Sequence, residues 1–281
     1  MGQLIDGKSI AKKIEERTAE RVALLKEKGI ALKLAVILVG ADKPSQTYVR
    51  RKGDAAKRVG IDFTLHNFSA DISMEDLIKA TMDIQNQKDL SGLIIQLPLP
   101  EPLYTTRVLN VIKPEVDVDC LTDVNLGKLV MRTNFLTPPT PGAVITILKE
   151  LKVDLVGKNV TIIGAGALVG KPLAIMMMNE RATVAVCNSA SRDIKERCLS
   201  SDVIVTGVGR KDIVRGDMVS PGAIVIDTGI SFENQKMYGD VNAEEVLEKA
   251  SYVTPTPGGV GPITVANLLW NTLLSAEKMF L

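Results

Sequence analysis

Residues 159–178 read NVTIIGAGALVGKPLAIMMM, and this stretch limits the possible folds more than any other. A short apolar run, Val160 to Ile163, stops at Gly164. A glycine-rich turn follows, Gly164-Ala165-Gly166-Ala167-Leu168-Val169-Gly170. Pro172 and the apolar residues after it read as the start of a helix. Strand, glycine turn and helix together bind a pyrophosphate: backbone N–H groups at the helix N-terminus face the anion, and glycine lets the backbone approach it. The spacing is Gly-x-Gly-x-x-x-Gly, one residue longer than the common Gly-x-Gly-x-x-Gly fingerprint. An ordinary strand-to-helix turn would give a similar string, so the turn alone leaves both readings open.

Charge and composition narrow the partners. With 34 basic and 33 acidic residues, the chain has no surplus to attract nucleic acid or another polyanion. Cys120, Cys187 and Cys198 are scattered and odd in number, and they read as free thiols in a reducing cytoplasm. No signal peptide and no membrane-length apolar run is expected. The single histidine, His66, lies in an alternating run typical of an edge strand, so a histidine triad or multi-histidine metal site is not expected.

Along the chain, helical and strand-like stretches alternate. Residues 9–28 carry Ile10, Ile14, Thr18, Val22 and Leu25 on one face, with Gly29 to end the helix. Residues 34–39 predict a buried strand, 44–59 a helix ending at Gly60, and 62–68 a strand. A helix follows to Gln85, capped by Ser73, with Leu77, Ile78 and Met82 facing inward. A third strand is 93–96, and 103–112 reads as a short helix. The proline-rich stretch 137–141 marks the domain boundary, with Thr140 capping a new helix and Pro141 at its first position. Further strands are expected at 160–163, 183–187, 202–206, 223–227 and 252–254, and a last helix at 262–280. Such alternation implies parallel sheets with right-handed crossovers. The fold class is therefore α/β: two α/β domains with a cleft between them, the second a Rossmann-like dinucleotide-binding domain.

Several polar residues stand where an open parallel sheet binds ligands, beyond the carboxyl ends of its strands. Gln96 ends an apolar strand, either as a ligand contact or as a solvent-facing strand end. Tyr48 and Lys52, four apart, share a helical face, which is either solvated or a proton-transfer pair. Asp117 and Asp119 are either turn residues or part of the same site. The loop 254–264, stiffened by its prolines and opened by three glycines, reads as a ligand lining more readily than as a linker.

Taken as one set, these motifs resemble the bifunctional methylenetetrahydrofolate dehydrogenase/methenyltetrahydrofolate cyclohydrolase family along nearly the whole chain. They are Ser45-x-x-Tyr48-Val49-x-x-Lys52, Gln96-Leu97-Pro98-Leu99-Pro100, Asp117-Val118-Asp119, Pro141 with its helix, Val169-Gly170-Lys171-Pro172, the stretch 221–230, Gly239-Asp240-Val241, and the run 257–264. The resemblance implies hydride transfer from 5,10-methylenetetrahydrofolate to NADP, then hydrolysis of the methenyl product to 10-formyltetrahydrofolate. It places the chain in one-carbon metabolism and purine biosynthesis, as a cytoplasmic homodimer. Lys52 would serve the cyclohydrolase step, Gln96 would position it, Tyr48 would pack on the folate, and Asp119 would hold the pterin edge. Pro98, Pro257, Gly258 and Gly261 would also touch the folate. Gly164, Ala165, Gly166, Val169, Gly170, Pro172, Ser189, Gly209 and Ile230 would hold the dinucleotide. Residues 1–140 with 263–281 would form the folate-binding catalytic domain, and 141–262 the NAD(P)-binding domain.

The departures from the family pattern concern the cofactor and one loop. Ala165 stands where the family commonly has the arginine that pairs with the 2′-phosphate of NADP, and Asn188 where it often has histidine. The second Rossmann strand has no terminal Asp or Glu to favour NAD. Ser189 and Arg192 remain to hold a phosphate, which favours NADP over NAD. Cys120 stands where glycine is usual, and Asp54 replaces a common lysine. The alternative is an NAD-dependent methylenetetrahydrofolate dehydrogenase with little cyclohydrolase activity. A shikimate-type dehydrogenase or a non-catalytic nucleotide sensor would have no use for the Tyr48, Lys52, Gln96 and Asp119 set.

Overall fold

Seven consecutive apolar-rich residues, Lys33–Val39, form a strand buried along nearly its whole length, as a central parallel strand must be. The computed structural model describes residues 2–233 and 236–281. In chain order its elements are β1 (Gln3–Leu4), α1 (Gly7–Glu27), β2 (Lys33–Val39), α2 (Lys43–Val59), β3 (Asp62–Phe68), α3 (Met74–Gln85) and β4 (Leu90–Ile95). Three helices follow without strands between them: α4 (Thr106–Leu109), α5 (Asp123–Val130) and α6 (Pro139–Glu150). The alternation then resumes with β5 (Asn159–Ile163), α7 (Gly170–Asn179), β6 (Thr183–Cys187), α8 (Ile194–Leu199) and β7 (Val203–Thr206). The chain ends with β8 (Ile224–Asp227), β9 (Ser231–Glu233), β10 (Lys236–Tyr238), α9 (Ala243–Leu247), β11 (Tyr252–Val253) and α10 (Val260–Phe280).

These elements form two compact units. The first comprises Lys12–Pro139 and Val265–Leu281. Its sheet is parallel, in the order β3-β2-β4, so His66 does sit on an edge strand. Leu34, Val36 and Leu38 pack on one side of β2 with Val49, Ala56, Leu269 and Leu273. Ala35, Ile37 and Val39 pack on the other with Leu77, Leu93 and Ile95.

The second unit comprises the residues up to Ala11 and Thr140–Thr264. It holds a six-stranded parallel sheet in the order β1-β11-β8-β7-β5-β6. The chain leaves β5 for β6 on one side, then returns to β7 on the other. That reversal is the switch point at which Rossmann-type sheets bind ligands.

The structure departs from the sequence expectations in several places. Residues 2–11 cluster with the nucleotide-type unit, because β1 pairs in parallel with β11. The expected helix 103–112 is helical only at Thr106–Leu109, since Thr105 caps it by accepting from the Val108 N–H. The sequence reading missed α5, which Thr122 starts by accepting from the Asn125 N–H. Met82 faces solvent, and Leu77, Thr81 and Ile84, spaced four and three apart, form the buried face of α3. Among the described residues no helix is long and apolar enough to cross a membrane.

Candidate active site and dinucleotide turn

Helix α2 starts where Asp42 accepts from the Ser45 N–H at 2.8 Å, and it ends at Gly60, whose φ of 79° closes the last turn. Its inward face carries Ser45, Val49, Lys52, Ala56 and Val59. That face buries Lys52 to 9% exposure, which excludes the solvated-face reading. Gln96 follows β4, and its N–H donates to the Ile37 carbonyl at 2.8 Å. Lys52 Nζ donates to Gln96 Oε1 at 3.0 Å, while Gln96 Nε2 donates to the Leu97 carbonyl at 2.7 Å. The second bond turns the amide so that its oxygen faces the lysine. An ammonium has three donors, so two remain for a ligand.

Burial pushes the Lys52 ammonium below its ordinary pKa, and the charge of Asp119 opposes the shift. Desolvation, rather than the neighbouring phenol, is thus what depresses Lys52. Burial pushes the Asp119 carboxyl up, opposed by Lys52 and reinforced by Asp117. Asp117 itself is a structural residue. Its carboxylate accepts from the Leu121 and Thr122 N–H groups at 3.0 Å each, from Thr122 Oγ1 at 2.7 Å and from Asn125 Nδ2 at 2.9 Å. Asn271 on α10 donates to the Val118 carbonyl at 2.8 Å, which anchors the same loop. Cys120 keeps the left-handed backbone that its usual glycine would favour, with φ of 55°. Tyr48 is half-buried, and its hydroxyl finds no hydrogen-bond partner among the described residues. Such a buried phenol is an available polar handle for a bound molecule. The Arg51 guanidinium lies 5.9 Å from its ring centre. Pro98 is exposed just beyond Gln96.

The three turn glycines do different work. At Gly164 a Cβ would lie 2.8 Å from the Gly207 carbonyl oxygen, and φ is 118°. At Gly170 a Cβ would overlap the Gly164 carbonyl. Both glycines are required by the chain's own packing. At Gly166 a Cβ would meet nothing within 4 Å. That side is open, as the backbone facing a pyrophosphate must be. Helix α7 begins without a side-chain cap; the Lys171 N–H donates to the Gly166 carbonyl at 3.0 Å and Pro172 has no N–H, which leaves the Gly170 N–H of the first turn for an anion. Val169 is the residue before the helix, and Pro172 is buried in its first turn. These residues fit a dinucleotide.

Other expected cofactor contacts cluster at the same sheet edge. Gly164 packs on Gly207 and Val208, which follow β7. Gly209 and Ile230 are exposed neighbours, the Ile230 carbonyl lying 3.2 Å from a Cβ placed on Gly209. Ala165 is half-buried in the turn. Asn188 shapes the turn after β6: its Oδ1 accepts from the Ala190 N–H at 2.9 Å, and its own N–H donates to Ser191 Oγ at 2.8 Å. That turn leaves Ser189 and Arg192 exposed. Pro257, Gly258 and Gly261 belong to this second unit, with Gly258 at φ of 108°. The structure adds two buried carboxylates, Asp227 at the end of β8 and Asp240 in the loop after β10. Their motifs were visible in sequence, but no periodicity shows that a carboxylate will point inward. Among the described residues no group of three or more His, Cys, Asp and Glu could hold a metal ion.

The chain matches two family models. One, described as tetrahydrofolate dehydrogenase/cyclohydrolase, catalytic domain, covers residues 5–119. The other, its NAD(P)-binding domain, covers residues 138–280. A bifunctional protein FolD of Methanococcoides burtonii is 42% identical over 277 residues, which is 98% of this chain and 97% of that protein. A crystal structure of the bifunctional FolD enzyme, methylenetetrahydrofolate dehydrogenase/cyclohydrolase, from Campylobacter jejuni superposes with a TM-score of 0.96. It is 39% identical and covers 100% of each chain. The Trypanosoma brucei FolD structure, complexed with NADP and an inhibitor, has a TM-score of 0.95 at 37% identity, covering 99% of this chain and 98% of that one.

Proposed function

The chain belongs to the tetrahydrofolate dehydrogenase/cyclohydrolase family, and from that premise we propose how its own residues divide the two activities. It is a bifunctional enzyme. It oxidises 5,10-methylenetetrahydrofolate to the 5,10-methenyl compound with NADP, then hydrolyses that product to 10-formyltetrahydrofolate. When bound, NADP supplies the nicotinamide that accepts the hydride.

Residues 12–139 with 265–281 carry Lys52, Gln96 and Asp119 for the folate, and residues 140–264 carry the dinucleotide turn and the loop of Pro257, Gly258 and Gly261. The observation that carries the division of labour is the buried Lys52–Gln96 hydrogen bond of 3.0 Å. Gln96 fixes Nζ, and burial favours the neutral amine. Lys52 takes a proton from the water that adds to the methenyl carbon. As the carbon–nitrogen bond breaks, the ammonium so formed gives that proton to the departing ring nitrogen, and the remaining hydroxyl proton is released to solvent as the formyl C=O forms. Asp119, as an acceptor, holds the donor edge of the pterin. Tyr48 packs on the folate and offers its unpartnered hydroxyl. Pro98, Pro257, Gly258 and Gly261 complete the folate contacts that the resemblance implies. Oxidation itself requires alignment and cation stabilisation more than a base.

Gly164, Gly166, Gly170 and the start of α7 hold the pyrophosphate, with Ala165, Val169 and Pro172 shaping the turn. Gly209 and Ile230 would line the same dinucleotide site, as the resemblance implies. Ser189 and Arg192 take the 2′-phosphate in place of the arginine absent at Ala165. The enzyme is a cytoplasmic homodimer by the same resemblance, and light scattering should give twice the chain mass.

The test is absorbance of the methenyl product in wild type and Lys52→Ala, with NADP and NAD in parallel. The expected result is formation with NADP, then decay faster than the spontaneous rate, with the acceleration lost in Lys52→Ala. Formation without accelerated decay would leave a monofunctional dehydrogenase, and formation with NAD alone would overturn the cofactor assignment.

A further inference from the structure

Two buried carboxylates stand at the carboxyl edge of the six-stranded sheet, and neither activity described above uses them. Asp227 ends β8 and is 3% exposed; Asp240 is fully buried. Their partners are backbone N–H groups of the surrounding loops and one threonine hydroxyl. Asp240 Oδ2 accepts from Thr206 Oγ1 at 2.8 Å and from the Val208 N–H at 2.7 Å, and Oδ1 accepts from the Arg210 N–H at 2.7 Å. Asp227 accepts from the Gly229 N–H at 2.9 Å and the Val241 N–H at 3.0 Å. Its own N–H donates to Thr254 Oγ1 at 2.7 Å.

Each carboxylate also lies against a glycine of the other's segment. A Cβ on Gly229 would overlap the Asp240 carboxylate, and a Cβ on Gly239 would overlap that of Asp227. The two segments are therefore interlocked, each aspartate filling the space left by the other's glycine. Oxygens already occupied by N–H and O–H donors are not free to bind a cation. The arrangement is a brace, and it braces particular loops. Loop 207–210 packs on Gly164, the first glycine of the dinucleotide turn, through the Gly207 carbonyl and Val208. Gly209 and the Ile230 carbonyl meet at the tip of the same edge.

We propose that Asp240, braced by Asp227, is a positioning residue for dinucleotide binding, setting loop 207–210 against the glycine turn. This rests on the reading of that turn as the NADP site. The carboxylate acts through the Val208 and Arg210 backbone, so its loss weakens cofactor binding without touching the folate chemistry of Lys52. Hydrogen bonds to an ionised acceptor are about twice as strong as neutral ones, so an amide at this position cannot substitute.

The experiment compares wild type, Asp240→Asn and Thr206→Val. NADP binding is measured by calorimetry, NADP-dependent oxidation by its KM and kcat, and cyclohydrolase on the methenyl substrate without nucleotide. For Asp240→Asn the expected result is a rise of about tenfold or more in both Kd and KM for NADP, the scale of a lost charge-assisted hydrogen bond. Cyclohydrolase should stay within about twofold of wild type. Thr206→Val removes one donor and keeps the shape, so it should weaken NADP by a few-fold. A folded Asp240→Asn that binds NADP as wild type does overturns the proposal. So does a parallel loss of both activities together with thermal stability, the outcome of a merely structural role. If Asp240→Asn does not fold, Thr206→Val decides, and an unchanged Kd overturns the proposal. A wild type that binds NADP but forms no methenyl product fails the reading of the site instead, and the Kd comparison still stands.

Discussion

Lys52 and Gln96, 44 residues apart in sequence, meet through a 3.0 Å hydrogen bond between a buried lysine nitrogen and a strand-end amide. A glutamine leaves the lysine free to lose its proton, because it accepts a hydrogen bond without adding a counter-charge. Gln96→Glu would add that charge and hold Lys52 ionised. Burial lowers the Lys52 pKa in the native enzyme, so cyclohydrolase kcat/KM should rise with pH through that depressed value. In Gln96→Glu the rise should move to higher pH and leave less activity at neutrality. Lys52→Ala should cost about 10²–10⁴-fold, the usual range for a removed general acid–base group. The pH profile of cyclohydrolase checks both, and an unmoved limb in Gln96→Glu would show that Lys52 is not the titrating group.

Much of this site was legible because strand ends are legible. The strand Asp62–Phe68 matches its expected bounds, and Ser73 caps α3 as its position suggested. Lys52 was visible as a residue type at helical spacing, but its burial depends on packing that no local pattern records. Asp117 and Asp119 look alike in sequence. Four donors from the next two turns make the first a structural residue, while the second senses Lys52. The short strands β1, β9 and β10 escaped notice because two or three residues carry too little periodicity to register. Strand β1 also sits far in sequence from its partner β11, and that pairing is what groups residues 2–11 with the other unit.

The glycine turn offers a paired test. Gly170→Ala would push a methyl into the Gly164 carbonyl, where only backbone can give way. It should destabilise the protein by about 1–3 kcal/mol or more, read in denaturant melts. Gly166→Ala meets nothing within 4 Å and should leave the melt within about 0.5 kcal/mol of wild type. Its methyl would occupy the open side of the turn, so the KM for NADP should rise while cyclohydrolase is unchanged. An unaltered KM would mean that the pyrophosphate does not lie there.

Cofactor choice can be tested at Arg192. The turn after β6 carries an exposed arginine and serine, and Asn188 spends its side chain on the turn itself. Arg192→Ala should raise the KM for NADP by about tenfold, the scale of one charge-assisted phosphate contact, and leave the KM for NAD unchanged. Equal changes in both would remove Arg192 from the phosphate site.

Asp227 should give the folded protein a pH-dependent weakness. Its burial, with the Asp240 carboxylate beside it, raises its pKa from 3.8 to about 6, against the pull of the N–H donors around it. Between those values the native state holds a proton that the unfolded state has released, so stability falls as pH rises across that window. A shift of this size corresponds to about 3 kcal/mol at full ionisation. The contribution is fully present below the lower value and is lost above the higher one. Asp227→Asn cannot ionise, so its unfolding free energy, measured in denaturant from about pH 4 to 7, should lack that downward slope. The difference between the two curves isolates this one group from other carboxylates that titrate nearby. Parallel curves would mean that Asp227 stays ionised throughout, with its donors outweighing the cost of burial.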